Sequence, residues 1–303
     1  MVKAKKLLVT GAHGFVAGSV IAQASEHWAV HALSRGEDLL ERAGLHWHRL
    51  DPSEPDRLKE IFSRVRPDFV IHTAALADID FCEAHQDLAR RVNVGLTQSL
   101  VDLCDEVGAK LVFCSTDTVF DGEQAPYREQ DPPGPLNYYA HTKVEAEKIV
   151  ARLSEKFVVA RLGLVVGLPI LGAGNSFLAR MMAQLKQGRE VKVPANKVRT
   201  PIDVITLGGA LLELAEKNLS GIFHLAGNDA LNRFDMTRRI AARFGFSERL
   251  IVAMPPDAEA GSAPRPRDVS LDNSKARTHL GTPMRGFDEA LDLIVRTAEH
   301  PAS

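Results

Sequence analysis

Leu7-Leu8-Val9-Thr10-Gly11-Ala12-His13-Gly14-Phe15-Val16-Ala17-Gly18 begins as a short apolar run and stops at two glycines three residues apart. A run of this kind, without polar alternation, predicts a strand covered on both faces, and the residues after it predict a turn and then a helix. Gly11 permits the tight turn, and Gly14 lets backbone come close to a bound group. Ala17, third in the pattern, still allows the helix to pack on the strand. The free N–H groups and dipole at the start of that helix favour a pyrophosphate, which makes Gly11, His13, Gly14, Phe15 and Val16 the first candidates to contact a dinucleotide. A lone glycine pattern is compatible with a plain turn; its place directly after a buried strand favours nucleotide binding.

Working outward, Trp28 to Leu33 predicts a second strand that ends in Ser34-Arg35. An acidic residue there would bond the adenosine ribose hydroxyls and repel a 2'-phosphate, whereas Ser34 and Arg35 offer a hydroxyl and a guanidinium fork. The expectation is NADP(H) in preference to NAD(H); a solvated arginine at a strand end is the plainer alternative. His46 to Leu50 predicts a third strand ending at Asp51, a further cofactor candidate, and Glu54 to Val65 a helix. Phe69 to Ala75 predicts a fourth strand whose small end residues Thr73, Ala74 and Ala75 leave room for a cofactor. Leu88 to Val107 has helical periodicity with Asn93 inside it, and Leu111 to Cys114 predicts a fifth strand running into Ser115-Thr116-Asp117. This alternation predicts an α/β fold, a doubly wound parallel Rossmann sheet with its ligand crevice at the carboxyl ends of the strands.

The chemistry is expected at Asn137-Tyr138-Tyr139-Ala140-His141-Thr142-Lys143. If Tyr139 to Arg152 is helical, Tyr139 and Lys143 share one face, a turn apart. A free phenol has a pKa of about 10, too high for useful acid or base work at neutral pH, and a fixed cation beside it lowers that value. The same spacing separates the adjacent tyrosines. Tyr139 faces Lys143, while Tyr138 stands four from Thr142 and is expected to line a substrate pocket or pack the helix start. A Tyr-x-x-x-Lys match alone arises easily by chance; it gains weight by following a dinucleotide-type half.

Composition narrows the partners. The 303 residues are 45% hydrophobic and 25% charged with a formal net charge of -2, which leaves no basic excess to hold a nucleic-acid backbone. The first ten residues are too short in apolar character for a signal core, and no stretch approaches a membrane span, so a cytoplasmic protein without membrane contact is expected. Cys82, Cys104 and Cys114 have no metal-ligand or disulfide spacing; they read as small core residues, with Cys114 nearest the proposed chemistry, and no metal site is expected.

A Thr-Gly-x-x-Gly opening, an Ala-Ala pair after the fourth strand, Ser115-Thr116 after the fifth and then Tyr-x-x-x-Lys resemble the extended short-chain dehydrogenase/reductase family. Ser115-Thr116-Asp117-Thr118-Val119-Phe120-Asp121-Gly122, Pro135-Leu136-Asn137 and the stretch Arg265 to Lys275 are similar to its dTDP-4-dehydrorhamnose reductase group. The resemblance implies a catalytic triad of Thr116, Tyr139 and Lys143. In it Thr116 would bond the substrate oxygen, Tyr139 would donate a proton, and Lys143 would hold the nicotinamide ribose. Thr116 has a plainer role available, capping the turn after its strand. Asp117, Tyr138, Arg199 and Arg265 are the implied substrate contacts, the arginines toward a pyrophosphate. The implied activity is NADPH-dependent reduction of a keto group on a sugar or nucleotide-activated sugar, by a homodimer paired through helices. Two neighbouring branches give alternatives: a regulatory subunit like the methionine adenosyltransferase β-subunit, and a sugar-nucleotide epimerase or dehydratase. The chain departs from the reductase pattern at Thr118, where that group has tyrosine, and at Leu164, where it has tryptophan.

In the second half, Phe157 to Leu162 predicts a sixth strand, Ser176 to Gln187 a helix, Ile202 to Leu219 a helix and Gly221 to Ala226 a last sheet strand. Arg233 to Phe244 predicts a helix and Leu250 to Ala253 a short strand. The loop Pro255 to Pro266 is expected to act as a lid. Residues 1–162 and 201–227 are thus expected to form the NADP-binding Rossmann domain. Residues 163–200 and 228–303 would form a smaller C-terminal α/β substrate-binding domain.

Overall fold

The computed structural model describes residues 4–51, 54–172, 174, 176–255 and 261–299. Strand β1 (Lys5–Thr10) leads through the glycine turn into α1 (Phe15–Gln23), then β2 (Trp28–Ser34), β3 (Leu45–Arg49), α2 (Pro55–Val65) and β4 (Phe69–His72). Two short helices, α3 (Ile79–Ala84) and α4 (Gln86–Arg90), precede α5 (Leu96–Val107), β5 (Lys110–Thr116), α6 (Tyr138–Val150) and β6 (Phe157–Leu162). Beyond these come β7 (Val165–Val166), α7 (Phe177–Leu185), β8 (Val191–Pro194), β9 (Val198–Arg199), β10 (Ile202–Asp203), α8 (Val204–Glu216) and β11 (Gly221–Leu225). The described chain closes with β12 (Leu231–Asn232), α9 (Arg233–Arg243), β13 (Ile251–Met254), α10 (Ser274–His279) and α11 (Phe287–Glu299).

Seven strands form one sheet in the order β11-β6-β5-β4-β1-β2-β3, and every pairing in it is parallel. The order reverses between β1 and β4, which opens a crevice at their carboxyl ends. Leu7, Leu8 and Val9 have no exposed surface, and burying each such side chain contributes about 2 kcal/mol. One face of the sheet packs on α1 and α8 and the other on α2, α5 and α6. A separate apolar cluster joins α7, α9 and α11 to β8 and β13, and in this part of the chain the strands pair only two by two.

Four expectations need correction. The helix from Leu88 to Val107 is not continuous: Arg91–Gly95 is a π-turn between α4 and α5, and the extra residue turns Asn93 inward, where its amide bonds Leu76 and Thr142. The fifth strand runs on to Thr116. The helix expected from Ile202 begins at Val204, because Ile202 and Asp203 pair with β7 and the Asp203 side chain caps the helix. Helix α3 was not anticipated; Asp78 caps it by accepting the Phe81 N–H. Of the expected lid, residues 256–260 lie outside the described residues.

Candidate active site

Gly11 turns at φ +69, and a Cβ there would sit 2.8 Å from the Ala74 Cα, so only glycine lets the turn lie against the end of β4. Gly14 lines the cavity described below and stands at the N-cap of α1 without a capping side chain, which leaves the first helical N–H groups, those of Phe15 and Val16, uncapped by any side chain. The side chains of these two residues turn elsewhere. Val16 packs on the apolar core and Phe15 lies under the loop at Gly167 and Gly174, so of the residues expected to contact a dinucleotide these two present backbone only. His13 Nε2 meets the Glu37 carbonyl at 2.7 Å, and a Cβ on Gly36 would overlap its ring.

A cavity of about 850 Å³ opens over this turn. Its lining brings together Gly11, His13, Gly14, Ser34, Arg35, Asp51, Thr73, Ala74 and Ala75, which the sequence had suggested separately, and adds Gly36 and Arg91. Arg91 belongs to the π-turn and carried no local signal of its place. Thr73 Oγ1 donates to the Thr10 carbonyl at 2.7 Å, tying the end of β4 to β1.

Beside the carboxyl end of β5, α6 starts where the Asn137 side chain accepts the Ala140 N–H at 3.0 Å, and the Asn137 amide reaches the Pro264 carbonyl at 2.9 Å. The helix therefore begins at Tyr138, with Tyr139 9% exposed and Lys143 2% exposed on its inner face. Burial, and then the charge of Asp117, push the Tyr139 phenol above its ordinary range, while the Thr116 hydroxyl pulls the other way. Lys143 stands one turn along the same helix, at the spacing expected of it. The Lys143 ammonium sits 4.0 Å from the centroid of the Phe113 ring, and burial brings it down to about 8 against the opposing charges of Cys114 and Glu147. No acceptor among the described residues is hydrogen-bonded to that ammonium, so its donors remain available to ribose hydroxyls. Cys114 is not alone near the phenol, since Cys82 packs in the same cluster as Tyr139.

Thr116 ends β5 and accepts the Thr118 N–H at 3.2 Å, so the capping role is real and coexists with its place beside Tyr139. Asp117 is buried, raised by that burial and held down chiefly by Arg199, whose Nε lies 3.7 Å from Oδ2. Arg199, expected to contact a substrate pyrophosphate, has protein partners here. It is 8% exposed, and Nη1 and Nη2 donate to the carbonyls of Val198, Arg267 and Pro266 at 2.6, 3.1 and 3.2 Å, so it braces Asp117 and the 266–267 segment. Arg265 forms a two-pronged pair with Asp80 on α3, at 3.2 and 2.7 Å, which straps the 263–265 segment over the start of α6. Tyr138 is half-buried, its N–H donating to Glu83 at 2.9 Å. Leu164 packs on the apolar cluster of α7, α9 and α11.

The sequence matches the family described as RmlD substrate binding domain over residues 5–299. The chain belongs to this family. Methionine adenosyltransferase 2 subunit beta from Pongo abelii is 30% identical over 299 residues, covering 95% of this chain and 87% of that protein. A dTDP-4-dehydrorhamnose reductase from Mycobacterium tuberculosis is 29% identical over 297 residues, covering 95% and 92%. Among solved structures, dTDP-4-dehydrorhamnose reductase from Bacillus anthracis in complex with NADP superposes with a TM-score of 0.85 at 23% identity, over 96% of this chain and 99% of that one; at this identity the likeness shows the fold. A hypothetical dTDP-4-dehydrorhamnose reductase from Sulfolobus tokodaii gives 0.80 at 30% identity, over 93% and 98%. Among the described residues no helix is long and apolar enough to cross a membrane.

Proposed function

We propose that the protein is an NADPH-dependent reductase of a keto group on a sugar or nucleotide-activated sugar. The observation that carries this reading is the Thr116 hydroxyl beside the Tyr139 phenol, with Lys143 buried one turn along α6, at the carboxyl end of β5 in the sheet whose β1 end bears the glycine-turn cavity. The residues present fit an NADP(H) cofactor: a turn that a Cβ would fill, uncapped N–H groups at the start of α1, Arg35 and Ser34 for a 2'-phosphate, and a Lys143 ammonium with donors to spare. The reductase relatives and the NADP-containing neighbour support it.

NADPH held in this cavity would supply the hydride. Thr116 donates to the carbonyl oxygen and holds it beside the phenol, and Tyr139 hands its proton to that oxygen as negative charge grows there. A phenol held high by burial is a reluctant base but a competent proton donor to a nascent alkoxide, whose own proton affinity is higher still. Lys143, charged below about 8, anchors the ribose and stabilises the phenolate left behind. The smaller C-terminal portion, residues 163–200 and 228–303, belongs in this reading to the substrate, and the homodimer and a cytoplasmic setting travel with it.

The test follows NADPH oxidation against a panel of keto-sugars, free and nucleotide-linked. Tyr139→Phe is expected to abolish turnover and Tyr138→Phe to leave most of it; turnover unaffected by Tyr139→Phe would overturn the mechanism. The 30% identity to the methionine adenosyltransferase subunit supports a second reading, an NADP(H)-binding regulatory subunit. Tight NADP(H) binding without turnover on any substrate, together with co-purification of an enzyme, would favour it.

A further inference from the structure

A second hydroxyl stands beside Thr116. β5 reaches Thr116 in extended conformation, and Asp117–Val119 then wind into a single 3-10 turn. The turn folds Thr118 back, so that the two threonine hydroxyls lie 3.0 Å apart. Asp117, Val119 and Phe120 are buried, whereas Thr116 and Thr118 are both half-exposed, which leaves this pair of hydroxyls on the open side of the turn.

The Thr116 hydroxyl has one proton and two lone pairs. One lone pair takes the Thr118 N–H at 3.2 Å. Inside the protein its proton can turn to Asp117 Oδ1, a long contact at 3.3 Å, or to the neighbouring Tyr139 phenol oxygen, and toward the phenol it already points at the place a substrate oxygen would take. The Thr118 hydroxyl decides what remains. If it accepted from Thr116, no proton would be left for a ligand. If it donates, it fills the second lone pair, and the proton of Thr116 is free to point at an oxygen beside Tyr139.

We propose that Thr118 is a positioning residue for the reduction: its hydroxyl donates to Thr116 Oγ1 and so reserves the Thr116 proton for the substrate carbonyl oxygen. The assignment rests on the reductase reading given above. It also concerns a position at which this chain departs from the pattern it resembles, a threonine standing where that pattern carries an aromatic phenol.

The experiment compares Thr118→Val, Thr118→Ala and Thr118→Ser with the wild type in steady-state NADPH oxidation, with melting temperature and NADP+ titration as checks of folding and cofactor binding. Thr118→Val and Thr118→Ala are expected to lower kcat about tenfold while KM and NADP+ affinity stay within about twofold, because the lost interaction acts only when charge develops on the oxygen. Thr118→Ser keeps the hydroxyl and is expected to retain kcat within about threefold. A merely structural role would move melting temperature without separating valine from serine. Wild-type kcat in Thr118→Val, a loss confined to KM, or serine falling as far as valine would each overturn the assignment while leaving the reductase reading intact. A wild type that turns over no keto-sugar overturns both.

Discussion

Glu147→Gln tests whether a buried ion pair outside the crevice sets the electrostatics within it. Glu147 is 7% exposed and Arg161 2% exposed, and the carboxylate takes Nε and Nη2 of that guanidinium at 3.1 and 2.8 Å as well as the Ser115 hydroxyl. Removing one partner of such a pair strands the other charge, at a cost of about 3–5 kcal/mol. Glutamine keeps the volume and one acceptor oxygen, so the expected loss is near the lower end, about 3 kcal/mol, or a fall of about 6 °C in melting temperature. A second effect reaches the site. Glu147 is one turn along α6 from Lys143 and supports its charged form, which burial has already brought down to about 8. The ammonium is present below that value and lost as pH rises through it, so activity that needs the cation holds at lower pH and declines above about 8. With glutamine at 147 the pKa drops further, and the decline begins at a lower pH. The assay pairs thermal unfolding with a pH profile of kcat/KM for NADPH oxidation, and Glu145→Gln serves as control. Glu145 pairs with Arg90 where the side chains are 41% and 59% exposed, and its loss should change stability by no more than about 0.5 kcal/mol. An unchanged high-pH limb in Glu147→Gln would refute the electrostatic link to Lys143, and an unchanged melting temperature would refute the cost assigned to the stranded Arg161.

Two further outcomes are expected. Arg35→Ala should weaken NADPH about 10- to 100-fold, the scale of one or two charge-assisted hydrogen bonds, and leave NADH affinity unchanged; calorimetric titration of both cofactors checks it, and equal losses would mean that Arg35 does not meet the 2'-phosphate. Asp80→Asn should release Arg265 with less than about 1 kcal/mol lost, since the paired side chains are 26% and 52% exposed. Protease cleavage within residues 261–266 should quicken. Because the Arg265 hydrogen bonds hold the Asp80 carboxyl below its ordinary range, the wild-type strap should persist at neutral pH and loosen only as pH falls below about 4; cleavage that is insensitive to the substitution would refute the strap.

What the sequence made legible is what local chemistry dictates. The turn at Gly11 needs a positive φ, the start of α6 needs a cap that Asn137 provides, and a four-residue step puts Tyr139 and Lys143 on one face; each follows from a few neighbouring residues. The π-turn at Arg91–Gly95 was hidden because one inserted residue barely disturbs an apolar periodicity, although it carries Arg91 to the cavity and Asn93 inward. Arg199 and Arg265 could be recognised as basic residues in the right part of the chain, but their partners, Asp117 and Asp80, are 82 and 185 residues away in sequence, and whether a guanidinium faces a ligand or a carboxylate is decided by the tertiary fold. The phenol shows the same limit more sharply. Spacing alone gives the cation one turn from Tyr139, but the burial and the Asp117 charge that push the phenol up come from distant parts of the chain. Thr118 carries the argument furthest. Read as a continuation of β5, Thr116 and Thr118 would point to the same face of the sheet, about 7 Å apart. The 3-10 turn brings their hydroxyls into contact instead, and this change in backbone state converts a position that looked like the loss of an aromatic contact into a second polar group acting on Thr116.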